Sequence, residues 1–184
     1  MKRVTRIILS MLLVLTLSTG LVLASTQQAS AASKITIPNT SAKVDSRVVN
    51  AFKDLGFKVK YDKNLDYAGT FSVSKHSIIL QKKSKNNTLH EMGHFLSRLK
   101  DGADSTKEFK NIYKAEKNKY SGRLKSYVKS NSKEYFAESF RQYTTWNSGL
   151  KKQRPKTYAY IKETIESISE DDVEAMYDAY GWAW

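Results

Sequence analysis

The sequence predicts an α+β domain, mostly helical, with a small sheet confined to its N-terminal half. Three observations predict it. Short β-rich pieces punctuated by glycine lie between Phe57 and Gln81, apolar residues recur at helical spacing from Asn86 to Tyr180, and an apolar leader precedes both and must be set aside first.

The leader has a basic start (Lys2, Arg3, Arg6), an apolar run from Ile7 to Leu23 and the small-residue stretch Ala29-Ser30-Ala31, which together read as a signal peptide over residues 1–31. Ser10, Thr16, Ser18, Thr19 and Gly20 interrupt the run and no basic stop-transfer cluster follows, so no lasting membrane insertion is expected. Residues 32–44 read as a polar lead-in containing Pro38, and 45–184 as one domain. A secreted, extracellular protein, in contact with the cell wall through its charge, is the expectation.

The first helix is predicted over Asp45 to Leu55, with Val48, Val49, Phe52 and Leu55 on one face, Asp45 or Ser46 as N-cap and Gly56 as stop. Phe57 to Tyr61, Thr70 to Val73 and His76 to Leu80 alternate or cluster as strands. Ser72 to Gln81 is taken as an edge strand able to hold an extended peptide, and His76 as an ordinary strand residue. A helix from Asn86 to near Lys100 sets Leu89, Met92, Leu96 and Leu99 inward and ends before Gly102. Ser105-Thr106-Lys107-Glu108 reads as a capping box opening the next helix, which runs to about Tyr120 with Phe109, Ile112 and Tyr113 inward. Further helices are expected over Ser132 to Trp146, from Pro155 to Ile168, and over Asp171 to Tyr180.

Composition narrows the function classes. Lys and Arg number 31 against 18 Asp and Glu, and only Lys2, Arg3 and Arg6 of those cations fall in the leader, so the remainder is strongly basic. Such a surface attracts polyanions at long range. For an exported chain an anionic wall polymer or an acidic substrate fits better than nucleic acid, and a monomer is expected. The absence of cysteine excludes disulfides, thiol catalysis and thiolate metal sites.

The strongest local signal is His90-Glu91-Met92-Gly93-His94. Residues four apart on a helix share a face, so two imidazoles can be aimed at one metal, with Glu91 beside them. Zinc takes neutral imidazole nitrogens at about 2.0 Å, and a carboxylate next to the activated water can move its proton. The plainer reading is Thr88-Leu89-His90-Glu91 as a capping box, but Ser84, Asn86 and Asn87 are available as earlier caps. A catalytic zinc needs a third protein ligand, either His76 or a carboxylate. A third histidine six residues past His94 is ruled out, because Lys100 stands there. Glu134 and Glu138 are the candidate carboxylates, four apart on one face and opposite Phe136, Phe140 and Tyr143; a cap paired with Asn131 and an ion pair with Arg141 are their ordinary alternatives.

The stretch from Ser126 to Arg141, with Tyr127, Glu134 and Glu138 in it, resembles the corresponding part of the catalytic domain of anthrax lethal factor and of the secreted bacterial Pro-Pro endopeptidases related to it. Arg154-Pro155-Lys156-Thr157-Tyr158 resembles the same family, and the likeness runs from about Thr88 to Ile168. It implies a zincin-like metalloprotease domain with one Zn²⁺ per chain. His90, His94 and Glu134 would be ligands, Glu91 the general base, and Tyr127 a hydrogen-bond donor to the developing oxyanion. Glu138 is then expected to hold a ligand histidine in its metal-binding tautomer. The expected substrate is a peptide or protein, cut internally. A catalytically inactive wall-binding module, or a zinc hydrolase of a non-peptide wall amide, is the alternative.

Overall fold

The computed structural model describes residues 33–184, so the expected signal peptide lies outside the described residues. The first strands are β1 (Lys34–Thr36) and β2 (Lys43–Asp45), an antiparallel pair in which Ile35 faces Val44. Ile37, Ala42 and Val44 are buried in the core, so the described part of the expected polar lead-in 32–44 packs into the domain. Ile35, Ile37, Ala42 and Val44, scattered among lysines, threonines and serines, are too sparse to signal a strand, and tertiary packing decides instead.

α1 (Ser46–Asp54) starts where expected, because the Asp45 carboxylate accepts from the Arg47 N–H at 3.0 Å, and it buries Val48, Val49, Ala51 and Phe52. Gly56, at φ +75°, turns the chain out of the helix. β3 (Lys58–Tyr61), β4 (Gly69–Ser72) and β5 (Ser77–Leu80) form a sheet of order β3-β5-β4, with β3 parallel and β4 antiparallel to β5. The strand within the segment expected at the sheet edge is therefore its centre, and β3 and β4 are the edges. His76 is not a strand residue either. It sits in the turn before β5 at φ +50°, with its ring stacked 4.1 Å from that of Trp184.

α2 (Lys85–Leu99) is capped by Ser84, whose hydroxyl oxygen accepts from the Asn87 N–H, so Glu91 is free of any capping duty. Leu89, Met92, Phe95, Leu96 and Leu99 are buried along it. The next helix, α3 (Lys107–Glu116), is capped by Thr106 rather than Ser105, because Ala103–Ser105 form a 3₁₀ turn that uses Ser105 differently. It also stops short of Tyr120 and passes into a second 3₁₀ turn, Lys117–Lys119. Two short helices have no strong sequence signal: α4 (Lys125–Val128) and α6 (Asn147–Gln153). α5 (Ser132–Thr145), α7 (Pro155–Glu166) and α8 (Glu170–Tyr180) match expectation closely.

The start of α7 is held across the fold. Buried Glu116 at the end of α3 accepts from the Thr157 N–H (2.9 Å) and hydroxyl (2.8 Å), supplying the cap that Arg154 does not. Arg154 is itself fully buried, stacked between the Tyr120 and Tyr135 rings, and donates to Ser139 of α5. The described residues, 33–184, form one compact unit. Phe52, Phe57 and Phe95 pack between α1, the sheet and α2, while Phe109, Tyr135 and Phe136 pack between α3 and α5.

Candidate metal centre

α2 and α5 cross closely enough to bring their polar faces together, and Gly93 permits the approach. A Cβ at Gly93 would lie 2.6 Å from the Ala137 Cα and 2.8 Å from its carbonyl oxygen, distances that no side chain tolerates. On α5, the Asn131 side chain accepts from the N–H groups of Lys133 and Glu134, which starts the helix so that Glu134 stands in its first turn, over α2.

His90 and His94 lie on one face of α2 as the four-residue spacing requires, with Glu91 on the flank toward β4. The Nε2 atoms of both histidines face the same oxygen of Glu134, at 3.1 Å from His90 and 3.5 Å from His94. Potential ligand atoms of His90, His94 and Glu134 lie within 4.8 Å of one another, and this is the one such His, Asp and Glu group among the described residues. Two imidazoles and a carboxylate aimed at a common point, none of them fully buried and two of them lining a cleft, fit a metal held by three protein ligands with a position left free. His76, the other candidate third ligand, takes no part. Its ring is engaged by Trp184, Phe57 and the Leu55 carbonyl.

The surroundings order this group electrostatically. Glu138 lies one turn beyond Glu134, with Oε2 3.7 Å from His90 Nδ1, while Arg141 Nε (2.8 Å) and the Tyr120 hydroxyl (2.9 Å) donate to the same carboxylate. The ion pair with Arg141 and the approach to His90 thus coexist. Burial opposes a charge on His90, but its hydrogen bond to Glu134 and the nearby Glu138 carboxylate outweigh it and push its pKa up to about 9. Burial would likewise raise both glutamates. The hydrogen bond from His90, with His94 and the Tyr127 phenol close by, instead holds Glu134 well below the usual carboxylate range, and Arg141 and His90 hold Glu138 at about 2. A metal takes the neutral imidazole, so an ion held by this group would displace the proton that the two carboxylates keep on His90.

Glu91 differs from these two. It is buried, which raises its proton affinity, the opposing pull of His90 and His94 notwithstanding. Its Oε2 accepts from the Phe71 N–H of edge strand β4 at 2.8 Å, so the carboxylate is aimed by the sheet. Tyr127 is half exposed on α4, its ring 6.2 Å from that of His90. Burial and then the Glu134 carboxylate push its phenol pKa up, so it stays a hydrogen-bond donor. Leu124, at φ +54°, makes the turn that presents α4.

The sequence points to His90, Glu91, His94, Tyr127, Glu134 and Glu138, and the fold brings all six together. It does not single out Phe71, Tyr120 or Gly93. Only Gly93 carried a signal, a helix-interior glycine lying between two histidines. The site opens into a cleft of about 890 Å³, whose lining includes Gly69–Ser74 on one wall, Tyr127, Lys133 and Glu134 on another, and Tyr180, Trp182 and Ala183 from the C-terminal end.

The family described as anthrax toxin lethal factor, N- and C-terminal domain, matches residues 67–164, more than half of the chain and a span that includes all six of these residues. Among solved structures the chain is similar to the Pro-Pro endopeptidase PPEP-2 from Paenibacillus alvei. The TM-score is 0.54 at 22% identity, covering 65% of this chain and 84% of that one, a likeness of fold that agrees with an α+β zincin-like domain. No curated protein matches the chain.

Proposed function

The chain belongs to the anthrax toxin lethal factor family of domains, and from that premise we propose that it is a secreted, zinc-dependent endopeptidase. The observation that carries this reading is the convergence of His90 and His94 Nε2 on one oxygen of Glu134, with Glu91 fixed alongside by the Phe71 amide.

His90, His94 and Glu134 would hold the ion. Bound there, Zn²⁺ would polarise the scissile carbonyl and lower the pKa of the attacking water. The chain's own residues account for the proton and the geometry. Glu91, its proton affinity raised by burial, takes a proton from the water and returns it to the leaving amine. Tyr127 keeps its proton and donates a hydrogen bond to the oxygen that gains charge. Glu138 orients His90 through Nδ1, and edge strand β4 offers main-chain groups to an extended peptide. The Pro-Pro specificity of the Paenibacillus protein makes proline-containing peptides the first substrates to try. Export rests on the signal-like residues 1–31, and association with anionic wall polymers on the excess of Lys and Arg.

The test pairs two measurements on the zinc-loaded chain and on Glu91→Gln, which keeps an acceptor for the Phe71 N–H. Cleavage of a mixed peptide library should disappear in the variant while zinc content stays at one per chain. Cleavage at the wild-type rate by Glu91→Gln would refute the assignment of the base.

A further inference from the structure

The C-terminal end of the chain builds a wall of the cleft that the reaction does not use. Trp184 anchors it: the indole stacks on His76 with rings 4.1 Å apart and 4° from parallel, and its Nε1 donates to the Val73 carbonyl at 3.0 Å. Tyr180 anchors it from the other side, its hydroxyl accepting from Arg98 of α2 at 3.1 Å. Between these two fixed points stands Trp182, 84% exposed and lining the same cleft as Glu91, His94 and Glu134.

An indole exposed to that degree, at the rim of a cleft, leaves apolar surface that a ligand in the cleft could cover. Its one polar atom is already satisfied, since Nε1 donates to the Ala179 carbonyl at 3.0 Å. That bond fixes the orientation of the ring and leaves only its apolar faces for recognition. The Arg98 guanidinium already lies over the adjoining Tyr180 ring at 5.7 Å, so this end of the cleft carries a positive charge and favours an apolar residue over a cationic one.

We propose that Trp182 is a specificity-determining residue of the cleft, an aromatic platform that packs against an apolar side chain of the peptide substrate. This rests on the endopeptidase reading and adds to it the chemistry of one subsite. The wall is rigid because both flanking aromatics are tied to the domain, so the platform is preformed and the peptide needs little reordering to meet it.

The test compares the full, zinc-loaded chain with Trp182→Ala, Trp182→Phe and, as a control for loss of an exposed indole outside the cleft, Trp146→Ala. Each is profiled on one peptide library, and KM and kcat are measured on the best substrate. Trp182→Ala should raise KM roughly three- to tenfold with little change in kcat and flatten the preference for an apolar residue at a single substrate position. Trp182→Phe should recover most of both, and Trp146→Ala should change neither. A Trp182→Ala enzyme that keeps wild-type selectivity, or loses only kcat, overturns the platform and leaves the endopeptidase standing. A wild-type chain that binds zinc and cuts no peptide ends both.

Discussion

At the scale of single residues, Gly93 shows how two opposing effects are weighed. In an exposed helix, Gly→Ala gains about 1 kcal/mol of helix propensity. Here the added methyl would meet backbone atoms of Ala137 at 2.6–3.1 Å, and backbone cannot swing aside as a side chain can. Overpacking of this kind costs about 1–3 kcal/mol, so the net sign is destabilising. Gly93→Ala should lower the urea midpoint and, by parting α2 from α5, weaken zinc binding by His90, His94 and Glu134; an unchanged midpoint would mean that the helices have slack at this crossing. The histidine pair was legible beforehand because its geometry is set within one turn of one helix. The contact at Gly93 was not, since it depends on a residue 44 positions away in the chain.

Between elements, the helix starts at Asp45, Ser84, Asn131 and Ser169 follow from side-chain chemistry that acts over two or three residues. Ser105 offered the same signature and lost to Thr106, because Gly102 at φ +80° and the 3₁₀ turn behind it shift the frame by one residue. The junction of α2 with α8 makes a pH-dependent prediction. Lys100 Nζ, just past α2, donates to both oxygens of Asp172 at 2.8 Å and to the Ser167 carbonyl at 2.9 Å, and Asp172 closes a capping box with Ser169. Burial would raise the Asp172 pKa, but the bonds from Lys100 and Ser169 outweigh it and lower it. A depressed folded-state value means the contribution to stability is complete above the unfolded value of about 3.9 and is lost as the pH falls through the folded one. Asp172→Asn should therefore melt below wild type at pH 7, with the gap closing as the pH drops below about 4. A gap independent of pH would assign the effect to packing alone.

For the molecule as a whole, the proposed ion would join α2 to α5, elements that already share the most extensive helix packing in the domain. A ligand that binds only the folded state stabilises it by about 2.7 kcal/mol at a hundred times its Kd. Zinc should accordingly raise the melting temperature of the chain and a chelator should reverse the rise. In Glu134→Ala the shift should vanish along with bound zinc, and a variant that still takes up zinc with wild-type affinity would show the third ligand to be another group.

Helices, caps, the paired histidines and the candidate carboxylates could be read from the chain because each rests on spacing within a few residues, where backbone geometry alone sets which side chains are neighbours. Pairing β5 between β3 and β4, drawing the 33–45 hairpin into the core, turning His76 away toward Trp184 and setting Trp182 in the cleft all needed the folded molecule. These contacts join segments far apart in sequence. They are selected by how much apolar surface the assembled domain can bury, a quantity that no local pattern encodes.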